Sequence, residues 1–149
     1  MSEARSKSEL LRQLHAFPTG SLDKMIEVHP LHQHVDGRGI LVALELSGLP
    51  FLVQRIFFVT DVDTGVIRGC HGHKNCWQAW LCLAGEVTIE GTDGMHRFAH
   101  KLMEQTEILI MHPGVWALQH SFSADAVILV LASHPYDEQD YYLEMDGGS

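Results

Sequence analysis

Short apolar runs separated by turn signals are the feature that most limits how this chain can fold. From residue 40 onward, runs rich in Val, Ile, Leu and Phe alternate with turns such as Gly91-Thr92-Asp93-Gly94. About nine such runs follow one another at a spacing of roughly 8–12 residues, without long helical patterns between them. This succession predicts an all-β barrel or sandwich. A chain of 149 residues is long enough for one such domain with its own core.

The first 28 residues have a different pattern. Apolar residues recur there at helical spacing before a Pro-x-Gly break, which predicts a short amphipathic helix. The residues concerned are Leu10, Leu11, Leu14 and Phe17. We therefore divide the chain into an N-terminal appendage, 1–28, and a β domain, 29–149. The helix could cover a barrel end or a subunit partner, and a frayed tail is the alternative.

Charge and cysteine content narrow the class of protein. Ten Lys and Arg residues against nineteen Asp and Glu residues give a net charge of −9, which argues against a broad nucleic-acid-binding face. No apolar run approaches the roughly 20 residues of a membrane helix, and the N-terminus lacks the apolar region of a secretory signal. We expect a cytoplasmic protein. Its three cysteines are odd in number and form no CxxC pair, so we expect reduced thiols.

Two histidines two residues apart are the strongest candidates for chemistry. His71 and His73 would point to the same face of a strand, and Gln78 follows on the next apolar run. Two imidazoles and a neutral amide make a poor site for Fe, Mn or Zn, so the pattern favours acid/base chemistry over metal binding. Plain core histidines are the alternative. The pair His32 and His34 is a weaker metal candidate, because no acidic or thiol residue is near it.

The spacing around this pair resembles a known motif. Gly65-x5-His71-x-His73-x4-Gln78-x6-Gly85 is similar to the first motif of the cupin jelly roll, with Gln78 where metal-binding cupins carry Glu. A second cupin motif surrounds Pro113-Gly114, and its metal-binding histidine would fall at Ala117. His120 is three residues further on, and strand alternation puts it on the opposite face. The resemblance therefore points to a cupin without a metal.

A larger set of motifs, spread from about residue 34 to residue 144, resembles the sugar 3,4-ketoisomerase family, the WxcM-like cupins that act on dTDP-4-keto-6-deoxyglucose. The motifs are Asp36-x-Arg38-Gly39, Arg68-Gly69-x-His71-x-His73-Lys74, Gln78, Pro113-x-Val115-Trp116, Phe122-Ser123 and Tyr136-Asp137-Glu138-x-Asp140-Tyr141.

This resemblance implies a fold and an activity. The fold would be a cupin jelly-roll barrel with a short N-terminal helical appendage. The activity would be a keto shift from C4 to C3 of a dTDP-linked 4-keto-6-deoxy sugar, carried out by histidine acid/base proton transfer through an enediol, without metal or cofactor. The family also pairs barrels edge to edge, so the resemblance implies a homodimer.

The resemblance also implies roles for particular residues. His71 would be the leading base, and His73 its partner or the second acid/base group. Substrate contacts would come from Arg38, Arg68, Lys74, Gln78, Trp80 and Trp116. Arg68 is a candidate for the diphosphate, because a guanidinium fork fits phosphate oxygens. Surface roles for Arg38 and Arg68, and core packing for Trp80 and Trp116, are the alternatives.

Two departures from the family pattern keep other functions open. Ala117 stands where the family has a histidine after Trp, and Phe57-Phe58 stands where it has tyrosine. His112, His120 or Tyr142 could compensate. A non-catalytic cupin that binds a sugar nucleotide or a related metabolite is the main alternative, and a metal-dependent cupin is a weaker one.

Overall fold

The computed structural model describes residues 5–146 and contains two five-stranded antiparallel sheets packed face to face. A separate two-stranded hairpin accompanies the two sheets. This is the all-β jelly roll that the sequence predicts. No helix in the described range is long and apolar enough to cross a bilayer.

The strands, in chain order, are β1 (Ile26–Pro30), β2 (Gln33–Asp36), β3 (Gly39–Val42), β4 (Arg55–Thr60), β5 (Arg68–His73), β6 (Gln78–Ala84), β7 (Glu86–Thr92), β8 (Arg97–Met103), β9 (Glu107–Met111), β10 (Trp116–His120), β11 (Val127–Ala132) and β12 (Tyr141–Tyr142). The first sheet has the order β1-β9-β6-β11-β4, and the second has the order β12-β5-β10-β7-β8. The hairpin is formed by β2 and β3.

The main core lies between the two sheets, because strand alternation sends every second side chain inward. Val87 and Ile89 from β7 are fully buried there, as are Ile128 and Val130 from β11. Val130 pairs with Phe57 on one side and with Trp80 on the other. These three side chains therefore form one inward row across the first sheet.

The predicted N-terminal helix is present as α1 (Lys7–His15). It begins with a capping box, in which the Ser6 side chain accepts from the Glu9 N–H and the Glu9 side chain accepts from the Ser6 N–H. Leu14, fully buried, packs with Trp116 against the outer face of the second sheet. The helix thus covers the sheet that carries β5. The division proposed at residue 28 runs through β1, which pairs with β9.

The β2–β3 hairpin and the outer side of β4 carry exposed apolar side chains. On the β2–β3 hairpin, Val35 is 67% exposed, Ile40 54% and Leu41 59%. On the outer side of β4, which is an edge strand, Ile56 is 60% exposed and Phe58 70%. Apolar surface of this extent beside a sheet edge commonly marks a contact with another chain.

Candidate active site

A β-bulge in β5 sets the direction of the two histidines. Gly69 and Cys70 both have positive φ values, 81° and 65°, and the register of β5 against β10 shifts between Ala117 and Leu118. The bulge inserts Cys70 as an extra residue, and His71 then lies opposite Ala117. Since Ala117 belongs to the core between the sheets, His71 and His73 both face inward.

A cavity of about 270 Å³ opens between the two sheets. It brings together five of the eight residues that the sequence singled out: His71, His73, Arg68, Gln78 and Trp80. The histidines and Arg68 come from β5, in one sheet, whereas Gln78 and Trp80 come from β6, in the other. A ligand in this cavity would therefore lie between two rigid walls.

Both ring nitrogens of His73 have protein partners. Nδ1 lies 2.9 Å from Asp140 Oδ2, and Nε2 lies 3.3 Å from the Gln78 amide nitrogen. The Asp140 carboxylate is itself held by the N–H of Asn75 at 2.7 Å and the N–H of Cys76 at 3.3 Å. These contacts favour a neutral ring that donates from Nδ1 and accepts at Nε2.

His71 is oriented by an aromatic stack. Its ring lies parallel to that of Tyr141, with centroids 4.2 Å apart and planes 4° apart, and its edge contact with His73 has a centroid distance of 5.1 Å. The pairing of β12 with β5 explains this, because Tyr141 is the cross-strand partner of His73 and shares its face.

Burial sets the charge of these groups. It lowers the pKa of both histidines below 6.5, and the hydrogen bonds of His71 with the Gly69 backbone and of His73 with Asp140 offset this in part. Burial alone would raise the pKa of Asp140, but the hydrogen bonds from Asn75 and His73 outweigh it, and the pKa lies below its usual value. Near pH 7 the site holds two neutral imidazoles beside a carboxylate.

Three of the residues expected at the substrate do not line this cavity. Trp116 precedes Ala117 in β10, so its side chain points to the opposite face of the sheet, away from the cavity. There it is fully buried under α1. Its indole N–H donates to the Leu143 carbonyl at 3.0 Å. The expected substrate contact of Trp116 is therefore not met. Lys74 is exposed just after β5. The Arg38 side chain is 91% exposed and pairs with Asp36 in the hairpin turn.

None of the three side chains offered as substitutes for a third histidine lines the cavity. His120 lies 2.5 Å from Glu90 in a part-buried pair outside it. His112 bonds to Glu27 at 2.9 Å on the first sheet. Tyr142 packs with the helix cluster. Strand alternation explains the outward direction of His120, as the sequence indicated.

Three residues at or behind the cavity are not among those that the sequence singles out as site residues. Tyr141 and Arg55 line the cavity, and Asp140 holds His73 from behind. Asp140 and Tyr141 belong to a motif that carried the family resemblance, which was the available signal. The Arg55 guanidinium lies over the ring of Phe57 at 4.7 Å and over that of Tyr136 at 5.3 Å.

Comparison with known proteins agrees with this geometry. The family described as FdtA, WxcM-like, C-terminal, matches residues 24–147. The chain belongs to the WxcM-like family. A TDP-4-oxo-6-deoxy-alpha-D-glucose-3,4-oxoisomerase from Aneurinibacillus thermoaerophilus is 37% identical over 113 residues, which cover 75% of this chain and 81% of that protein. The family resemblance inferred from the motifs is confirmed.

Solved structures of sugar 3,4-ketoisomerases and of an epimerase have the same fold. QdtA, a sugar 3,4-ketoisomerase from Thermoanaerobacterium thermosaccharolyticum solved with TDP, has a TM-score of 0.79 and 31% identity over 85% of this chain and 92% of its own. A 3,4-ketoisomerase from Helicobacter canadensis has a TM-score of 0.76 and 31% identity over 81% and 92%. The RmlC epimerase of Mycobacterium tuberculosis, 17% identical over 83% of this chain and 70% of its own with a TM-score of 0.73, shares the fold alone.

Proposed function

We propose that this chain is a sugar 3,4-ketoisomerase that moves the keto group of a dTDP-4-keto-6-deoxyhexose from C4 to C3. One observation carries the proposal: two neutral histidines lie side by side on the wall of a single cavity, each held by other protein groups. The membership of the chain in a family whose similar members are named 3,4-ketoisomerases supports the same conclusion.

The reaction is a pair of proton transfers through an enediol. The substrate loses its C3 proton and its O3 proton, and the product gains a proton at C4 and one at O4. The bond C4=O becomes C4–OH, and C3–OH becomes C3=O, so no electrons leave the sugar. This chemistry needs groups that can take and return a proton near neutral pH, which is the role that imidazole performs best.

The contacts of the two histidines suggest a division of roles. His71 makes one hydrogen bond with the Gly69 backbone, and its stack on Tyr141 fixes the ring, so the remaining nitrogen can serve as the base at C3. His73 is backed by Asp140, whose negative charge would stabilise an imidazolium. We therefore assign His73 as the second acid/base group and Asp140 as the residue that positions it.

The cations at the cavity suggest how an anionic substrate is held in a chain of net charge −9. Arg68 lines the cavity and is exposed, which suits a diphosphate lying toward solvent. Lys74, exposed just after β5, could contact only the outer part of such a ligand. Gln78 and Trp80 would contact the sugar from the opposite wall.

We further propose that the working form is a homodimer and that Arg38 acts on the substrate of the second copy. Within its own chain Arg38 lies on an exposed hairpin outside the cavity. The apolar hairpin residues and the exposed Ile56 and Phe58 of β4 are surfaces that two copies could bury against each other. A cytoplasmic location stays a prediction.

The test is to incubate the purified protein with dTDP-4-keto-6-deoxyglucose and follow the carbonyl carbon by ¹³C NMR. We expect the C4 carbonyl signal to be replaced by a C3 carbonyl signal, and His71→Asn to abolish the change. A ligand-induced rise in melting temperature without any rearrangement would instead identify a non-catalytic binding protein. If the melting temperature does not rise and the sugar does not rearrange, both the isomerase function and the non-catalytic binding function are overturned.

A further inference from the structure

A nitrogen, a sulfur and a carboxylate converge behind the catalytic cavity. His73 Nδ1, Cys76 Sγ and a carboxylate oxygen of Asp140 all lie within 4.8 Å of one another. Cys76 is 7% exposed and lies between β5 and β6. Imidazole, thiolate and carboxylate are the three ligand types that Zn²⁺ uses in proteins, commonly in tetrahedral geometry.

The three side chains are held before any ion arrives. Asp140 is fixed by the backbone N–H groups of Asn75 and Cys76, and its Oδ2 accepts from His73. The thiol of Cys76 donates to the Trp77 carbonyl at 3.3 Å and accepts from the Ser133 hydroxyl at 3.7 Å. Held ligands of this kind lower the cost of assembling a metal site.

There is a small void beside these three ligands, which is a second observation in favour of a bound ion. A small void of about 10 Å³ is lined by His73, Cys76 and Asp140 together with Gln78 and Tyr141. That is about the volume that one water-sized sphere occupies. Arg55 also lines the void and opposes a cation. A thiolate and a carboxylate would supply two negative charges, which balance a divalent ion.

We propose that His73, Cys76 and Asp140 form an inhibitory site for a thiophilic divalent cation such as Zn²⁺. The ion binds the Nδ1 lone pair of His73, whose ring proton moves to Nε2, and it binds the Asp140 carboxylate and the Cys76 thiolate, whose proton passes to solvent. His73 then carries its N–H on the cavity side, so it can no longer take a proton there, and it has lost its hydrogen bond to Asp140. The ion is an inhibitor and not a cofactor, and only its effect on turnover rests on the proposed isomerase function.

Cobalt(II) tests the site without substrate. The metal-free, reduced protein is titrated with CoCl₂ under anaerobic conditions, and the near-ultraviolet thiolate-to-cobalt charge-transfer band is recorded. We expect the band to saturate at one equivalent and to vanish when ZnCl₂ is added. It should be absent in Cys76→Ser and present in Cys82→Ser, a control in which the other buried thiol is changed. Circular dichroism confirms that both variants are folded.

Inhibition is measured separately, as the ZnCl₂ concentration that halves each variant's own rate. That concentration should rise by about tenfold or more in Cys76→Ser, since losing a ligand costs at least as much affinity as losing a supporting residue. A charge-transfer band that is missing in the wild type, or that persists in Cys76→Ser, overturns the proposal. An inactive wild-type protein that still shows the Cys76-dependent band overturns the isomerase function and leaves the metal site standing.

Discussion

The Nδ1 atom of His73 lies 2.9 Å from Oδ2 of Asp140, although 67 residues separate the two in the chain. The two side chains are nearly buried, at 12% and 10% exposure, and two backbone N–H groups hold the carboxylate in place. This contact fixes the tautomer of His73 and supports positive charge on its ring. It depends on the short strand β12, which brings the C-terminal segment onto β5.

The first prediction concerns this contact. Asp140→Ala should lower kcat by about 100-fold, the lower end of what a positioned acid or base contributes, with a smaller change in KM. Asp140→Asn should recover part of the rate, because an amide oxygen can still accept from Nδ1. Steady-state kinetics on the ketosugar nucleotide gives both parameters.

The matched control for Asp140 is Asp137→Asn in the same segment. Asp137 caps a short helical turn, accepting from the Gln139 N–H at 3.0 Å, and is exposed. That variant should keep the wild-type kcat. If Asp140→Ala retained full kcat, the positioning role of Asp140 would be ruled out.

The second prediction tests the homodimer and Arg38 together. Arg38→Ala and His71→Asn should each be inactive alone. In a random mixture of the two variants, one half of the dimers contain one chain of each kind. If each site takes His71 from one chain and Arg38 from the other, every such mixed dimer has one intact site. Co-expression should then restore about a quarter of wild-type activity.

The mixing experiment needs a control in which rescue is impossible. His73→Asn with His71→Asn serves, because the two residues belong to one wall of the same cavity and no mixed dimer has an intact site. An absence of rescue in the Arg38 mixture, with dimers confirmed by light scattering, would place Arg38 outside the substrate site.

The third prediction concerns the N-terminal helix. Leu14→Ala should destabilise the protein by about 2–5 kcal/mol, since Leu14 is fully buried between α1 and the second sheet. Arg12→Ala, on the exposed side of the same helix, should change stability by no more than about 0.5 kcal/mol. Urea unfolding measures both. Equal effects of the two substitutions would mean that the helix is a frayed tail.

The fourth prediction concerns acid stability. The hydrogen bond from His112 lowers the pKa of Glu27 below 4.5, and His29 adds to this. A carboxyl whose pKa is lower when folded stabilises the protein above its unfolded-state pKa. That contribution is lost as the pH falls from about 4.5 through the folded-state value, because the unfolded chain binds the proton first.

Urea midpoints recorded in steps between about pH 6 and pH 3 should show this loss, and it should be smaller in Glu27→Gln and in His112→Asn. The two variants probe opposite ends of one hydrogen bond. Wild-type acid sensitivity in both variants would show that the Glu27–His112 contact does not contribute.

The direction of the paired histidines could be predicted from the sequence because it depends on local geometry. Residues two apart in a strand share a face, and this holds for His71 and His73 and for Gln78 and Trp80. The same rule placed His120 opposite to Ala117. Applied consistently, it would also have sent Trp116 outward, since Trp116 is adjacent to Ala117.

The parts of the site that the sequence did not predict depend on long-range pairing. Asp140 and Tyr141 reach the histidines only because β12 adds to the edge of the sheet beside β5. A two-residue strand leaves no periodic signal. The role of Arg38 stays a prediction, because its side chain lies on an exposed hairpin outside the cavity of its own chain.

His71 and His73 are proposed to move protons between C3 and C4 of the sugar. The most direct measurement is NMR of dTDP-4-keto-6-deoxyglucose with the protein in D₂O. We expect a 3-keto sugar carrying deuterium at C4 with the wild-type protein, and no rearrangement or exchange with His71→Asn. A sugar that binds, as shown by a raised melting temperature, yet keeps its carbonyl at C4 and its hydrogen at C3 would contradict it.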